Sequence, residues 1–216
     1  MSLGRTMTLK DLTDGGKAAM AEALAVLESA PDAPQTIGLL DAAYGAPRAQ
    51  VVGITGPPGV GKSTLLGALI PELRESGRTV GVIAVDPSSR QTGGALLGDR
   101  LRLMTDPEDE GVFVRSMAAR DRLGGLAELT VGGMLLMRAV YDVVLIETVG
   151  VGQSETDVAW VADTVVFCVQ PGSGDSLQFM KAGIMEIPDL AVVTKADMEA
   201  AQRTQADLKA PLAPPR

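Results

Sequence analysis

Histidine is absent from this sequence, and only one cysteine occurs in 216 residues. The first absence removes imidazole acid–base chemistry. With a single thiol, it also removes zinc or nickel centres built from soft side chains. Cys168, inside "TVVFCV", has no internal disulfide partner and reads as a small buried core residue. Positive charge is scarce: 19 Lys and Arg against 27 Asp and Glu give a net charge of −8. Nucleic acid and anionic membrane surfaces are therefore poor partners. No apolar run approaches the roughly 18 residues of a membrane span, and no apolar signal-peptide segment opens the chain. The expectation is a cytoplasmic protein, and a matrix enzyme that had lost its transit peptide would have the same composition.

The composition that is present, 46% hydrophobic, suits one large domain or a domain with a small helical addition. Thr8–Ala30 has helical periodicity, with Met20, Ala23, Leu24 and Leu27 on one face. Pro31 and Pro34 end it, and a shorter helix is expected over Thr36–Tyr44. The pattern then changes to short β-branched runs without polar alternation, as in strands covered on both faces: Gln50–Thr55, Thr79–Val85, Val112–Arg115, Asp142–Glu147, Thr164–Val169 and Leu190–Thr194. Helical stretches are expected over Lys62–Glu75, Gly125–Tyr141, Thr156–Val161, Ser176–Glu186 and Asp197–Leu208. The alternation predicts an α/β fold, a mostly parallel central sheet with helices on both faces, preceded by a short N-terminal helical segment. The organisation expected is a helical segment over 1–47, the α/β domain over 48–210, and a tail over 211–216.

"GPPGVGKST", Gly56 to Thr64, fits G-x-x-x-x-G-K-[ST] between a strand and a helix. Gly56, Pro57, Pro58, Gly59, Val60 and Gly61 form a loop whose backbone N–H groups can turn inward around phosphates. The helix N-terminus adds its positive dipole end. Lys62 is expected on the β- and γ-phosphates, Ser63 on Mg²⁺, and Thr64 completes the motif. Asp86 in "AVDPSS" ends the second strand, where it serves either as a Mg²⁺ ligand, direct or through water, or as a turn-initiating Asp-Pro. "ETVGVGQSE" places Glu147 at another strand end, with its Mg²⁺ contact expected through a water. Gly150 can donate its N–H to a γ-phosphate, the kind of bond on which a nucleotide switch turns. Small GTPases commonly hold a water-orienting Gln directly after this glycine. Here Val151 stands there and Gln153 follows two residues later, so slow intrinsic hydrolysis completed by a partner is expected.

"VVTKAD" nearly matches the guanine-binding Asn-Lys-x-Asp element, with Thr194 in the Asn position. Asp197 retains the carboxylate that accepts from guanine N1–H and the 2-amino group. Adenine would face it with a lone pair, a mismatch of about 1–3 kcal/mol or more. The Lys195 stem can lie against the base, and a threonine hydroxyl can supply one of the bonds an asparagine amide would make. GTP, held somewhat less firmly, is the reading.

Together "GITGPPGVGKSTL", "VIAVDPSS", "GGALLGDR", "LGGL", "VLIETVGVGQSE", "PGSGDSLQFMKAGIMEIPDL" and "VVTKAD" resemble the MeaB/ArgK/MMAA family of P-loop GTPases, over roughly Ala18 to Asp197. The resemblance implies a P-loop NTPase fold of the SIMIBI G-domain type, with GTP/GDP and Mg²⁺ as ligands. It also implies a chaperone role toward adenosylcobalamin-dependent methylmalonyl-CoA mutase or a related acyl-CoA mutase, gating cofactor loading and protecting the enzyme. Switch segments are implied at about Asp86–Asp99 and Glu147–Asp157. A third loop is implied at Pro171–Lys181, where Asp175, Gln178 and Lys181 couple the partner to the nucleotide. The catalytic set on this reading is Lys62, Glu147, Gly150, Gln153 and Lys181. Without the resemblance, the third loop is a Gly-Ser-rich strand–helix connection.

Three departures stand out: Thr194; Asp121 and Arg122 where relatives carry a glycine and a small residue; and the ending "PLAPPR". Relatives continue beyond that point with another strand, a further base-contacting loop and a helical dimerisation arm. The arm is expected to be absent and homodimerisation is left open. Among alternatives, a nickel-delivery GTPase conflicts with the lack of histidine. A small-molecule kinase, the older amino-acid-transport label, conflicts with Asp197 and the switch-like glycines. A non-catalytic module conflicts with intact Lys62, Ser63, Asp86 and Glu147.

Overall fold

The computed structural model describes residues 6–87, 105–119, 128–148, 157–172 and 188–209. Three helices come first: α1 (Leu9–Asp14), α2 (Gly16–Ser29) and α3 (Pro34–Tyr44). They are followed by β1 (Gln50–Thr55), α4 (Lys62–Glu75), β2 (Val80–Pro87), β3 (Val112–Ala119), α5 (Glu128–Val140) and β4 (Val143–Glu147). A 3₁₀ turn (Val158–Trp160), β5 (Thr164–Val169), β6 (Leu190–Val193) and α6 (Ala201–Lys209) complete the described elements.

The single helix expected over Thr8–Ala30 is two. Thr8 caps α1 in a reciprocal box with Asp11, and the chain turns at Gly15 and Gly16, the latter at φ +58°. Hydrophobic period alone could not reveal that break, because Leu12 and Met20 are buried on either side of it. Met20, Ala23, Leu24 and Leu27 share the buried face of α2. The helix expected over Thr156–Val161 is only the 3₁₀ turn, and residues 197–200 form turns ahead of α6. The helix expected over Ser176–Glu186 lies outside the described residues, as do residues 125–127 of the helix expected over Gly125–Tyr141, whose described part is α5.

Among the described residues the sheet has six strands in the order β3-β2-β4-β1-β5-β6, and every pairing between them is parallel. β3 runs four residues beyond the expected Arg115, because it pairs in register with the full length of β2, from Val80 with Val112 to Pro87 with Ala119. Alternate strand residues divide between two layers. Ile83, Val85, Val144 and Ile146 pack with α2, α3 and α5, while Val82, Ala84, Val143 and Leu145 pack with Leu66 and Ile70 of α4. Burial on both faces explains the unbroken apolar run of β4, each side chain contributing about 1.5–3 kcal/mol. Leu208 of α6 covers Phe167 and Val169 of β5.

The amino edge of the sheet is tied by three aspartates that precede β4, β5 and β6. Asp142 accepts from Thr79 N–H at 2.8 Å, Asp163 from Val51 N–H at 2.8 Å, and Asp189 from Val165 N–H at 2.7 Å. Each carboxylate satisfies an amide at the start of a different strand, just ahead of β2 or at the second residue of β1 and β5, and Arg48 also pairs with Asp142 at 2.6 Å. The Thr79 N–H, then the Thr79 hydroxyl and Arg48, hold the Asp142 carboxyl below its usual range despite burial. These acids therefore belong to the scaffold, at the opposite end from the polar glycine segments. Among the described residues no helix is long and apolar enough to cross a membrane.

Candidate functional site

The carboxyl ends of the strands gather most of the polar residues singled out above. β1 ends at Thr55, and the chain enters the glycine loop at Gly56, with φ +135°. A Cβ there would collide with the Cys168 carbonyl, so only glycine lets the loop lie this close to the end of β5. Gly61, at φ +106°, is the residue ahead of α4 and makes no side-chain cap. The helix therefore opens directly off the loop, with its first amides facing the loop's side of the sheet.

Lys62 is 6% exposed. Its ammonium donates to the Gly56 carbonyl at 2.6 Å and to the Pro57 carbonyl at 3.1 Å, which holds a positive charge inside the loop. The Ser63 hydroxyl donates to Glu147 Oε1 at 2.6 Å, joining the start of α4 to the end of β4, where Glu147 is 1% exposed. A serine hydroxyl and a buried carboxylate in contact are hard oxygen donors of the kind Mg²⁺ takes. That ion keeps several waters and needs few protein ligands. The backbone of Asp86 lies two residues beyond Ala84, the β2 partner of Glu147, so both acids stand at carboxyl ends of adjacent strands. The placement of the Asp86 side chain lies outside the described residues, as do Gly150, Gln153, Asp175, Gln178 and Lys181.

The segment after β6 closes on the loop from the other side. Thr194 Oγ donates to the Val60 carbonyl at 2.6 Å, with the Val169 carbonyl at 3.0 Å. Lys195 Nζ donates to the Gly59 carbonyl at 3.0 Å and to Gln170 Oε1 at 2.5 Å. The tie that an asparagine amide would make to the loop is made here by a hydroxyl. Asp197 is exposed on the turn that follows. The structure thus brings Gly56–Thr64, Glu147, Thr194 and Lys195 together.

Sequence reasoning passed over two positions, Thr148 and Gln170. Thr148 is fully buried beyond β4, its N–H bonded to the Ile54 carbonyl at 3.1 Å and its hydroxyl to the Thr55 hydroxyl at 3.0 Å. That pair locks the end of β4 to the end of β1 and so fixes Glu147 relative to the loop. Gln170 holds Lys195. The available signal was a polar residue directly after an apolar strand, at the sheet edge where α/β ligands bind. Cys168 lies at the base of this site with its thiol pushed up to about 11 by burial, partly offset by Lys62. A protonated, buried thiol adds no soft metal ligand here.

The crystal structure of an LAO/AO transport system kinase superposes with a TM-score of 0.69 at 33% identity, covering 92% of this chain and 58% of that one. Hydrogenase maturation factor HypB from Archaeoglobus fulgidus shares the fold at TM-score 0.56 and 19% identity, over 93% of this chain and 83% of that one. A Pyrococcus abyssi protein provisionally named a GTPase is 56% identical over 161 residues, 74% of this chain and 50% of its own length. GTPase ArgK of Escherichia coli is 42% identical over 194 residues, 88% of this chain and 59% of that protein. The mitochondrial methylmalonic aciduria type A homolog of Mus musculus is 38% identical over 213 residues, 91% of this chain and 51% of that protein. The chain thus spans about half to three-fifths of the length of these curated relatives. The model of the methylmalonyl Co-A mutase-associated GTPase MeaB matches residues 20–214, and with its glycine loop, Lys62, Ser63 and Glu147 set on an all-parallel sheet, the chain belongs to the MeaB family of GTPases.

Proposed function

We propose that this chain binds GTP with Mg²⁺, hydrolyses it slowly, and uses its nucleotide state to act on an adenosylcobalamin-dependent acyl-CoA mutase. Methylmalonyl-CoA mutase or a relative is the partner, and the action is to gate cofactor loading and protect the enzyme. The observation that carries the nucleotide reading is the bonding of Thr194 and Lys195 to the Val60 and Gly59 carbonyls, which makes a base-side segment and a phosphate-side loop one unit.

In this reading the N–H groups of Gly59 to Thr64 take the phosphates. Lys62 exchanges its loop carbonyls for β- and γ-phosphate oxygens, and the Asp197 carboxylate selects guanine. Ser63 and Glu147, with Asp86, would hold Mg²⁺, which supplies positive charge to the phosphate oxygens when bound. Glu147 is fixed for that task by the Thr148–Thr55 lock behind it. Gly150, Gln153 and Lys181 complete the proposed catalytic set, and Asp175 and Gln178 join Lys181 in coupling to the partner. The mutase assignment is supported by the family's description and by the mouse relative's name. The site of action in this reading is cytoplasmic, and the acidic charge supports the exclusion of nucleic acid and anionic membrane partners.

The test is the rate of GTP hydrolysis, with ATP as control, with and without the methylmalonyl-CoA mutase of the same source. Slow GTP turnover that rises with mutase, with ATP inert, is expected. Equal use of ATP would remove the guanine assignment, and indifference to mutase would remove the chaperone role.

A further inference from the structure

The residues after β6 grip two neighbours at once, rung by rung. Thr194 spans Val60 of the loop and Val169 of β5, and Lys195 spans Gly59 of the loop and Gln170 after β5. The Thr194 rung is built on backbone acceptors, which any sequence would provide. The Lys195 rung depends on one side chain, Gln170, whose amide oxygen takes the ammonium at 2.5 Å. Lys195 is also the only non-glycine residue at positive φ among those described, at 49°. An L-residue with a long side chain seldom takes that conformation, and here it is retained where the ammonium is held by two acceptors. An exposed lysine normally samples many rotamers, so without a second acceptor its stem would not stay along the loop.

We propose that Gln170 is a positioning residue. By accepting from Lys195 Nζ it holds the lysine stem along Gly59, where it forms the platform for the nucleotide base. The nucleotide part rests on the function proposed above, while the positioning part does not. Gln170 touches neither phosphate nor metal in this scheme, so its loss weakens affinity for GTP and GDP alike and leaves the chemical step to Lys62, Ser63 and Glu147. A carboxylate at the same position keeps the acceptor and adds an opposite charge. It should therefore restore what an apolar residue removes.

The experiment compares the wild-type chain with Gln170→Leu and Gln170→Glu by two readouts. The first is trace acylation of Lys195 with acetic anhydride, without nucleotide, read by mass spectrometry against the other lysines. The second is titration with fluorescent GTP and GDP analogues, together with turnover at saturating GTP. In Gln170→Leu the Lys195 amine should acylate several-fold faster than in wild type. Its dissociation constants for both nucleotides should rise about three- to tenfold, the loss of one solvent-exposed hydrogen bond, with the loss falling on affinity rather than saturated turnover. Gln170→Glu should reverse both effects. Equal Lys195 acylation in wild type and Gln170→Leu would overturn the inference. If acylation responds but the wild-type chain does not prefer guanine nucleotides, the positioning role stands and the proposed function falls.

Discussion

Replacing Thr194 by valine keeps the shape of the side chain and deletes its hydroxyl. That hydroxyl carries one proton, shared between the Val60 carbonyl at 2.6 Å and the Val169 carbonyl at 3.0 Å. Val169 keeps a partner after the change, because its carbonyl also accepts from Thr194 N–H at 2.8 Å. Val60 is the acceptor left short. It is 1% exposed, so water does not readily replace the lost donor. One buried carbonyl deprived of its bond costs about 1–3 kcal/mol, and the loss falls where the segment after β6 meets the glycine loop. Urea unfolding should therefore show a stability lower by about 1–3 kcal/mol with an unchanged slope. Titration with a fluorescent GDP analogue should show affinity about five- to tenfold weaker, which corresponds to about 1–1.4 kcal/mol reaching the nucleotide. Preference for GTP over ATP should survive, because the Asp197 carboxylate is untouched, and Thr194→Ser should restore both quantities. A valine variant that unfolds at the wild-type urea concentration and binds GDP as tightly would refute the reasoning, and Thr194 would be a bystander to the loop.

Ser63→Ala removes a charge-assisted bond to a buried carboxylate and a proposed Mg²⁺ ligand. GTP hydrolysis at fixed Mg²⁺ should fall roughly ten- to hundredfold, and wild-type turnover in this variant would exclude the serine from the site. Gly53→Ala would drive a methyl group into the stiff Val158 side chain and to 3.2 Å from Ala162. Urea unfolding should detect a loss of about 1–3 kcal/mol, and no loss would mean that the Val158–Trp160 turn is not packed against β1. Burial raises the Cys168 thiol from 9.0 to about 11, so the native state favours the protonated form. Its contribution is complete below pH 9 and is lost as pH rises from there through 11. Cys168→Ala should flatten that alkaline decline in urea unfolding, and an identical decline in both proteins would assign it to other groups.

The local signals were those written in short stretches of chain. The glycine loop was legible because its spacing, Gly56 to Ser63, is itself the constraint that phosphate-cradling amides impose. The strands were legible as apolar runs because both faces of β4 and β2 are covered. The parallel sense followed from alternation with helices. Boundaries were less legible where small residues lie in the strand: "SMAA" at the end of β3 carries little strand signal, and its pairing with β2 extends it. The break at Gly15 and Gly16 was hidden for the converse reason, since two helices bury the same kind of apolar face as one.

By itself, then, the sequence determined the fold class, the glycine-loop motif and the near-match to a guanine element, because each depends on residues within a few positions of one another. Only the tertiary structure decided the strand order, the carboxylate bracing at Asp142, Asp163 and Asp189, the Thr148–Thr55 lock behind Glu147, and the grip of Thr194 and Lys195 on the loop. These join residues as far as 136 positions apart, Lys195 with Gly59 among them. Which of many possible hydrogen-bond partners a hydroxyl or ammonium takes is set by the packing of the whole sheet, which no local pattern encodes.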